Sequence, residues 1–300
     1  MCLAPTKLPS KILKERNWQS VPCGKCPECL SKRAIEWASR VEHELTLHDN
    51  SAFVTLTYDD AKNHDYDYHY SDFQKFIKRL RERYAHQKIK HFTSIEFGGN
   101  HGRLHFHSIL FNYYPTTRNH SLSPLKKTES GYMIFRSSEL ENIWPHGFSS
   151  VAPATPATAY YIASYALSDN SYECPVSGEI LSDKLRCSQG IGLSYFHKHR
   201  HQIIAAAFFR GYSIPRYYKK KLEELYPEEY TSFLEELQKL KKTIVNNHDE
   251  YARLKEHISK SKTLSSVYRD PKNFEILEAQ LNEFAKDKLI NRRYGEKALK

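Results

Sequence analysis

The chain has no long run of apolar residues among its 300 positions. A helix that spans a membrane needs about 20 consecutive apolar residues, and no segment approaches that length. The stretch from Met1 to Ser20 mixes Lys, Pro and Glu and lacks the apolar core of a secretion signal. Internal repeats and low-complexity tracts are absent as well. We therefore expect a protein without membrane contacts that works in a reducing cytoplasm.

Acidic residues are outnumbered, because 45 Lys and Arg face 35 Asp and Glu and leave a net charge of +10 at pH 7. Aromatic residues make up 13% of the chain and include 21 Tyr. Cationic side chains neutralise phosphates and aromatic rings stack on bases, so this combination favours a nucleic-acid partner. Many basic proteins are merely soluble, however, and the charge alone does not decide between these interpretations.

Three of the six cysteines share a Cys-x-x-Cys-x-x-Cys spacing within a turn that contains Gly and Pro, namely Cys23, Cys26 and Cys29. In a reducing compartment this spacing is typical of a metal knuckle rather than of a disulfide framework. Structural Zn²⁺ takes four ligands, so the nearest candidate for the fourth is Cys2, with Cys174 or Cys187 as alternatives. An iron–sulfur cluster uses a similar spacing, and a turn with buried free thiols is the alternative without a metal.

Apolar spacing and turn residues predict alternating helices and strands in the first part of the chain. They are, in order, a helix over residues 31–48, a strand over 52–58, a helix after Ser71, and strands over 91–97 and 103–111 joined by a glycine-rich hairpin loop. Candidate DNA contacts lie on the helix after Ser71 and at the start of the last strand: Lys75, Lys78, Arg79 and Arg103. A solvated basic face is the alternative interpretation of the helical residues.

The remainder of the chain predicts fewer regular elements. Residues 112–158 are rich in Tyr, Pro, Ser and Thr, which favours a long variable loop region. A helix is predicted to begin near Ala157. Beyond Arg216, charged segments with heptad-like apolar spacing predict helices that are broken at Pro227 and Pro271.

The sharpest chemical signal is a pair of histidines on the last of these strands, His105 and His107. Because a strand alternates its faces, both imidazoles point to one side while Phe106 points to the other. Glu96 lies on the preceding strand, where the hairpin folds it back across from the histidines. Two imidazoles and one carboxylate form an open site for a divalent ion. A lone His-x-His pair is more often a pair of surface histidines, and Glu96 favours the metal site.

A second signal is a pair of tyrosines with a spacing of four, Tyr161 and Tyr165. Residues i and i+4 lie on one face of a helix, so both phenols could present to one place. A phenol that attacks a phosphodiester needs a group that stabilises the developing charge and a geometry in line with the leaving oxygen. On spacing alone, a stripe of core tyrosines is the stronger interpretation.

Together these motifs resemble those of a known family, in the order residues 53–58, 102–107 and 161–165. They look like the first motif, the metal-binding second motif and the tyrosine third motif of the HUH endonucleases that initiate rolling-circle replication. The resemblance is strongest to replication initiators of small single-stranded-DNA phages, the gokushovirus-like Microviridae. Further stretches shared with that group are Met1-Cys2-Leu3 and residues 22–29, 190–192 and 214–218. The resemblance spans residues 1 to about 220 in the same order.

The resemblance implies an α+β fold, in which a mainly antiparallel HUH endonuclease-like sheet carries the histidine pair on a central strand and helices pack on one face. It also implies three parts: a Cys-rich segment with a basic helix over residues 1–50, an HUH endonuclease domain over 51–216, and a helical C-terminal extension over 217–300. The family often has lysines where this chain has Ser164 and Ser168. Lys184 or Lys198 is the candidate substitute for that charge near the phosphate.

The activity that the resemblance implies is nicking and rejoining of single-stranded DNA at a phage origin. Glu96, His105 and His107 would bind Mg²⁺ or Mn²⁺, and Tyr161 or Tyr165 would attack the scissile phosphate. The attack would leave a 5′-phosphotyrosine intermediate and free a 3′-OH that primes synthesis, and the second tyrosine would allow the strand to be closed into a circle. The implied partners are single-stranded origin DNA, double-stranded replicative-form DNA, and the host helicase and polymerase in the cytoplasm of a bacterial cell.

Two other classes remain open from the sequence. One is a non-catalytic DNA-binding protein with a zinc knuckle, in which the histidines are structural. The other is an HUH transposase-like enzyme with a single catalytic tyrosine. Covalent capture of a single-stranded oligonucleotide distinguishes the binder from the enzymes, and tyrosine dependence of strand closure distinguishes the two enzymes.

Overall fold

The computed structural model describes residues 5–9, 18–59, 70–97, 104–115, 122–128, 131–165, 171–173, 178, 180–182, 184–210 and 214–246. The strands are β1 (Thr6–Pro9), β2 (Trp18–Val21), β3 (Ser51–Tyr58), β4 (Lys90–Phe97), β5 (Leu104–Phe111), β6 (Leu122–Lys127), β7 (Met133–Ser137), β8 (Gly147–Pro153), β9 (Ser171–Glu173), β10 (Ile180–Ser182) and β11 (Lys184–Cys187). The helices are α1 (Pro27–Leu45), α2 (Tyr70–Arg83), α3 (Ser138–Ile143), α4 (Pro156–Tyr165), α5 (Leu193–Arg210), α6 (Arg216–Leu225) and α7 (Pro227–Asn246). None of the helices in these ranges is long and apolar enough to cross a membrane.

The chain divides into two compact units, residues 1–192 and 193–300. The sequence-based division instead placed its boundaries after residues 50 and 216. Helix α1 lies in the first unit, because its apolar residues share a core with those of α4. Helix α5 lies in the second unit, because Phe196 shares a core with residues of α6 and α7.

Seven antiparallel strands form the main sheet of the first unit, in the order β11-β4-β5-β3-β8-β7-β6. Strand β1 pairs with β2, and β9 pairs with β10, in separate two-stranded ribbons. The strand that carries the histidine pair, β5, lies between β4 and β3. The loop between β4 and β5, predicted as a glycine-rich hairpin loop, lies outside the described residues. The prediction of an α+β fold built on an antiparallel sheet is confirmed.

Alternation along β3 separates the two faces of the sheet. Ala52, Val54 and Leu56 are completely buried on one face, where they form a first core cluster with apolar residues of α2 and α3. On the opposite face, Phe92 and Ile109 form a second core cluster with apolar residues of α1 and α4. The expectation that helices pack on one face only is therefore wrong. Both faces of the central strands carry large apolar side chains, and each face needs a cover that removes them from water.

The segment predicted as a loop region, residues 112–158, contains β6, β7, α3 and β8, so that prediction is also wrong. Its helix α3 is only 6 residues long, which is too short to produce a clear apolar period. The Ser137 hydroxyl caps this helix by accepting a hydrogen bond from the Leu140 N–H at 3.4 Å. Trp144, which follows the helix, is completely buried in the first core cluster. The polar composition of the segment concealed these elements.

A buried ionic network fixes α1 to the turn that follows β11. Glu44 is 1% exposed, and its carboxylate accepts hydrogen bonds from Lys90 Nζ and from the Gly192 N–H, each at 2.7 Å. Arg40, one helical turn earlier, donates from Nε and Nη2 to the Ile191 carbonyl at 3.2 and 3.1 Å. Burial alone would raise the pKa of Glu44, but the hydrogen bonds that it accepts and the Lys90 charge outweigh burial and lower the pKa to about 2.

The second unit is helical in its described part. Its buried core contains Phe196, Ile214, Tyr218, Leu222 and Phe233. The predicted break at Pro227 is confirmed, since α6 ends at Leu225 and α7 begins at Pro227. The predicted break at Pro271 lies outside the described residues.

Candidate active site

The register of β4, β5, β3 and β8 aligns side chains into three rows on the face that carries the second core cluster. The first row holds Glu96, His105, Thr57 and Phe148, the second holds Ser94, His107, Thr55 and Ser150, and the third holds Phe92, Ile109, Phe53 and Ala152. The third row is covered, since Phe92 and Ile109 are completely buried. The first row is open at its β8 end, where Phe148 is 58% exposed. The two histidines therefore lie where the sheet emerges from beneath the helices.

Each histidine ring is held by a threonine on the neighbouring strand β3. Thr57 Oγ1 lies 3.0 Å from His105 Nδ1, and Thr55 Oγ1 lies 3.0 Å from His107 Nδ1. Because Nδ1 is engaged in both rings, ligand chemistry is directed to the Nε2 atoms.

Glu96 joins the histidines from β4, where it lies directly opposite His105 in the register. It is buried, and its Oε2 lies 3.6 Å from His107 Nε2. Ser94 donates a short hydrogen bond from Oγ to the other carboxylate oxygen. One carboxylate oxygen is thus fixed by Ser94 while the second faces His107. We refer to Glu96, His105 and His107 as the His/Glu site.

Burial lowers the pKa of His107 to about 4, and the charge of neighbouring His105 lowers it further. The centroids of these two rings are 6.1 Å apart. His107 is therefore neutral at pH 7, which is the protonation state in which an imidazole binds a metal ion.

The donors of the His/Glu site suit a divalent ion. Two imidazoles and one carboxylate leave coordination positions open for water or phosphate oxygens. The three donors are not drawn as close together as three cysteines near α1, which form the only group of at least three His, Cys, Asp or Glu residues placed to share an ion within the described part of the chain. Binding of one ion by all three donors of the His/Glu site therefore requires side-chain rotation.

Tyr161 of α4 lies beside the His/Glu site. Its ring meets the His107 ring edge-on at a centroid distance of 5.5 Å and the Phe53 ring edge-on at 6.2 Å. Phe53 in turn stacks parallel to His107 at 5.8 Å. Tyr161 is 37% exposed, so this residue adjoins both His107 and solvent.

The other polar residues of α4 have different surroundings. Tyr160 packs against the second core cluster. Tyr165 ends the helix, and its side chain lies outside the described residues, as does Ser168. Ser164, one of the two serines at family lysine positions, donates from Oγ to the Tyr161 carbonyl at 2.9 Å. That hydroxyl is turned toward the helix backbone.

The cysteine cluster, formed by Cys23, Cys26 and Cys29, lies at the start of α1. Its three Sγ atoms lie within 4.8 Å of one another, so the group could hold a metal ion. The Sγ atoms of Cys23 and Cys29 are 4.0 Å apart. Zn–S bonds of ~2.3 Å in a tetrahedron place sulfurs ~3.8 Å apart, which this separation approaches. The Cys26 N–H also donates to Cys23 Sγ at 3.3 Å, which favours a thiolate there.

The candidates for a fourth ligand differ in what the structure shows. Cys2 and Cys174 lie outside the described residues. Cys187 of β11 packs against the second core cluster, and burial raises the pKa of its thiol. Cys187 is not part of the cysteine cluster.

The candidate DNA contacts of α2 lie on the far side of the sheet from the His/Glu site, because α2 packs against the first core cluster. Lys75 and Lys78 are exposed and pair with acidic residues of the same helix at 3.2 and 3.8 Å. Arg79 has two buried nitrogen atoms, Nε and Nη2, without a hydrogen-bond partner in the described structure. Arg103 lies outside the described residues.

Sequence reasoning missed the residues that surround the His/Glu site. Thr55 and Thr57 are two apart in a strand, which already places them on one face, yet only the register shows that this face meets the histidines. Ser94 precedes Glu96 by two residues, so the same alternation could have pointed to it. Phe148 fell within the segment predicted as a loop region, and no sequence signal pointed to it.

Comparison with known proteins relates the chain to phage replication proteins. Residues 51–170 match the family model of the replication-associated protein ORF2. The replication-associated protein ORF4 of Chlamydia phage 1 is 32% identical over 223 residues, which cover 70% of this chain and 55% of that protein. The replication-associated protein ORF2 of Spiroplasma virus 4 is 28% identical over 70% of each chain. The replication-associated protein VP4 of Bdellovibrio phage phiMH2K is 29% identical over 74% of each chain.

No solved structure matches the chain. The chain spans about half the length of the Chlamydia phage relative, 55%. The family match runs from β3 through α4, so it includes the His/Glu site and Tyr161. The three relatives all come from the Microviridae, the phage group that the motifs resemble. The chain therefore belongs with the replication-associated proteins of these phages, and residues 51–170 form the domain that it shares with the ORF2 family.

Proposed function

We propose that this protein initiates rolling-circle replication by cutting single-stranded DNA at a phage origin with a tyrosine nucleophile. The observation that carries the proposal is the position of Tyr161, whose ring adjoins His107 at 5.5 Å. A phenol beside donors for a divalent ion is the arrangement that phosphodiester transfer to tyrosine requires. The relatives are themselves named replication-associated proteins.

In the proposed step, the Tyr161 phenolate oxygen attacks the scissile phosphorus, and the bond from phosphorus to the 3′ oxygen breaks. The phenolic proton goes to solvent, and the released 3′ oxygen takes a proton to become the 3′-OH that primes synthesis. The tyrosine becomes joined to the 5′ phosphate of the downstream strand. Because one phosphoester bond replaces another, the step is reversible and the same site can rejoin the strand.

In this proposal the His/Glu site holds Mg²⁺ or Mn²⁺, which when bound polarises the phosphate and stabilises the charge that develops in the transition state. Thr55 and Thr57 position the two imidazoles through Nδ1. Ser94 fixes one oxygen of the Glu96 carboxylate and leaves the other for ligation.

Tyr165 is the proposed second nucleophile, about one helical turn from Tyr161. After one round of synthesis it cuts the regenerated origin, and the freed 3′-OH attacks the first phosphotyrosine linkage and closes a circle. The proposed partners are single-stranded origin DNA, the double-stranded replicative form, and the host helicase and polymerase in the bacterial cytoplasm.

A single-tyrosine enzyme of the HUH transposase-like type is the second candidate. It is favoured by the observation that Tyr161 adjoins His107 while its neighbour Tyr160 packs into the core. In that enzyme Tyr165 has no role in strand transfer, and a separate strand would have to supply the second cut. A non-catalytic zinc-containing DNA-binding protein is the remaining alternative, in which the His/Glu site would be structural.

We also propose that the cysteine cluster holds structural Zn²⁺, with Cys2 as its fourth ligand. The sulfur spacing supports a tetrahedral ion, and a structural zinc site contributes folding free energy to the segment that it closes. The catalytic proposal does not depend on this ion.

Covalent capture of an oligonucleotide with a phage-origin sequence tests the proposed function. Attack by tyrosine joins the protein to the downstream fragment, so a 3′-labelled oligonucleotide should become attached in denaturing gels, and a 5′-labelled one should be released as a shorter fragment. Tyr160→Phe serves as the matched control on the same helix and should keep full capture. Attachment of the 5′ label, or no attachment with either label in Mg²⁺ or Mn²⁺, contradicts the proposal.

A further inference from the structure

Phe148 is a large apolar side chain that the fold leaves 58% exposed on the face that carries the His/Glu site. It pairs with Thr57 in the register, and Thr57 pairs with His105. Two strand spacings of ~4.8 Å therefore place Phe148 about 10 Å from His105 along the sheet. An exposed aromatic ring at that distance from the scissile phosphate is within reach of a flanking nucleotide.

The same face continues past Phe148 onto β7 and β6. Phe135 pairs with Val151 and packs against the first core cluster, so its neighbour Ile134 points to the opposite face, which is that of Phe148. Lys126 pairs with Ile134 in the register, and paired residues point to the same face. Lys126 is exposed. An aromatic ring and then a cation thus follow the His/Glu site along one open face.

From this arrangement we propose that Phe148 is a base-stacking subsite for an unpaired nucleotide next to the cleavage position, and that Lys126 contacts a phosphate farther along the same strand. The inference rests on the proposed function for its ligand, single-stranded DNA. Aromatic rings on an open surface stack on any base, and a cation beside them neutralises the backbone. The strand would run across β5, β3, β8, β7 and β6, roughly perpendicular to the sheet strands.

Binding is measured on full-length protein with Tyr161→Phe and Tyr165→Phe, so that cleavage does not interfere. The probe is a single-stranded origin oligonucleotide with 2-aminopurine at successive positions around the cleavage site. Phe148→Trp should retain binding and keep one position quenched. Phe148→Leu keeps apolar bulk but lacks a π face, and it should weaken binding by about 5- to 100-fold and relieve that quenching.

Lys126→Ala tests the phosphate contact through the salt dependence of binding. It should reduce the slope of log affinity against log salt by about 1. Lys88→Ala, an equal change of charge in the turn before β4, is the matched control and should leave the slope unchanged. An unchanged affinity in Phe148→Leu, or equal slopes for the two lysine variants, overturns the inference.

The two proposals fail in different ways. Loss of quenching in Phe148→Leu without any covalent capture by the wild type would retain the DNA subsite and reject the nuclease. Normal capture at Tyr161 together with wild-type binding by Phe148→Leu would retain the nuclease and reject the subsite.

Discussion

Thr55 and His107 face each other across β3 and β5, with Thr55 Oγ1 at 3.0 Å from His107 Nδ1. The same relation is repeated two residues along, between Thr57 and His105. An N–H at Nδ1 that donates to the threonine leaves the lone pair on Nε2, the atom of His107 that lies toward Glu96. The hydroxyl pair therefore selects the tautomer that can bind an ion.

We expect Thr55→Val and Thr57→Val to weaken Mn²⁺ binding by about 10- to 100-fold each, because each change removes the group that orients a ligand. Titration of Mn²⁺ measures the affinity. Ring ¹⁵N shifts of the metal-free protein provide an independent readout, which should move away from the Nδ1–H tautomer. Thr→Ser at either position retains the hydroxyl and should restore both properties. Wild-type ¹⁵N shifts in both valine variants would show that the threonines do not set the tautomer.

We expect His105→Ala or His107→Ala to abolish DNA cleavage while single-stranded DNA binding survives, since affinity comes from cationic and aromatic contacts and rate comes from charge stabilisation. Glu96→Ala should have a milder effect, because two imidazoles remain. Cleavage rate and oligonucleotide affinity are measured side by side for each variant. Undiminished cleavage by the double histidine variant would remove the metal assignment.

The buried network at Glu44 predicts a specific loss of stability in acid. The pKa of Glu44 lies at about 2 in the folded protein and at 4.5 ordinarily, so its stabilisation is fully present above pH 4.5 and is lost as the pH falls toward 2. A shift of that size corresponds to roughly 3 kcal/mol of unfolding free energy. Urea unfolding at a series of pH values should show this loss in the wild type.

Glu44→Gln should be less stable at neutral pH and should show a smaller loss over the same range. Glu82→Gln, a matched change at an exposed site on α2, should retain the wild-type profile. An identical pH profile in Glu44→Gln and the wild type would show that another group is responsible.

Elemental analysis should find one Zn²⁺ per chain, bound by the cysteine cluster. Cys26→Ser should lower the zinc content and the thermal stability, because the site contributes folding free energy. Cys187→Ser is the matched control, since that thiol lies in the second core cluster, and it should keep the metal. Purified protein that contains neither zinc nor iron would rule out the metal cluster.

The sequence was most informative where contacts are local. His105, His107 and Glu96 belong to adjacent strands of one hairpin, so alternation and a single turn place them together. The side of the sheet that each helix covers depends on packing between distant segments, and amphipathic patterns in α1 and α2 do not contain it. Pairing of β3 with β5, which brings Thr55 to His107, is likewise not encoded in any local pattern.

The tyrosine was the intermediate case. Its spacing alone favoured a core stripe, and the resemblance to a family was needed to connect it with the histidines. The structure supplies the missing physical link, since Phe53 contacts both the Tyr161 and the His107 rings.

Peptide mapping of the trapped protein–DNA adduct tests the central proposal most directly. The phosphotyrosyl linkage should be found at Tyr161 and Tyr165. Each of Tyr161→Phe and Tyr165→Phe should leave some adduct, the double variant should leave none, and Tyr160→Phe should leave all of it. Linkage at Tyr161 alone would assign the protein to the single-tyrosine class, and linkage at Tyr160 or outside α4 would contradict the assignment of the nucleophile.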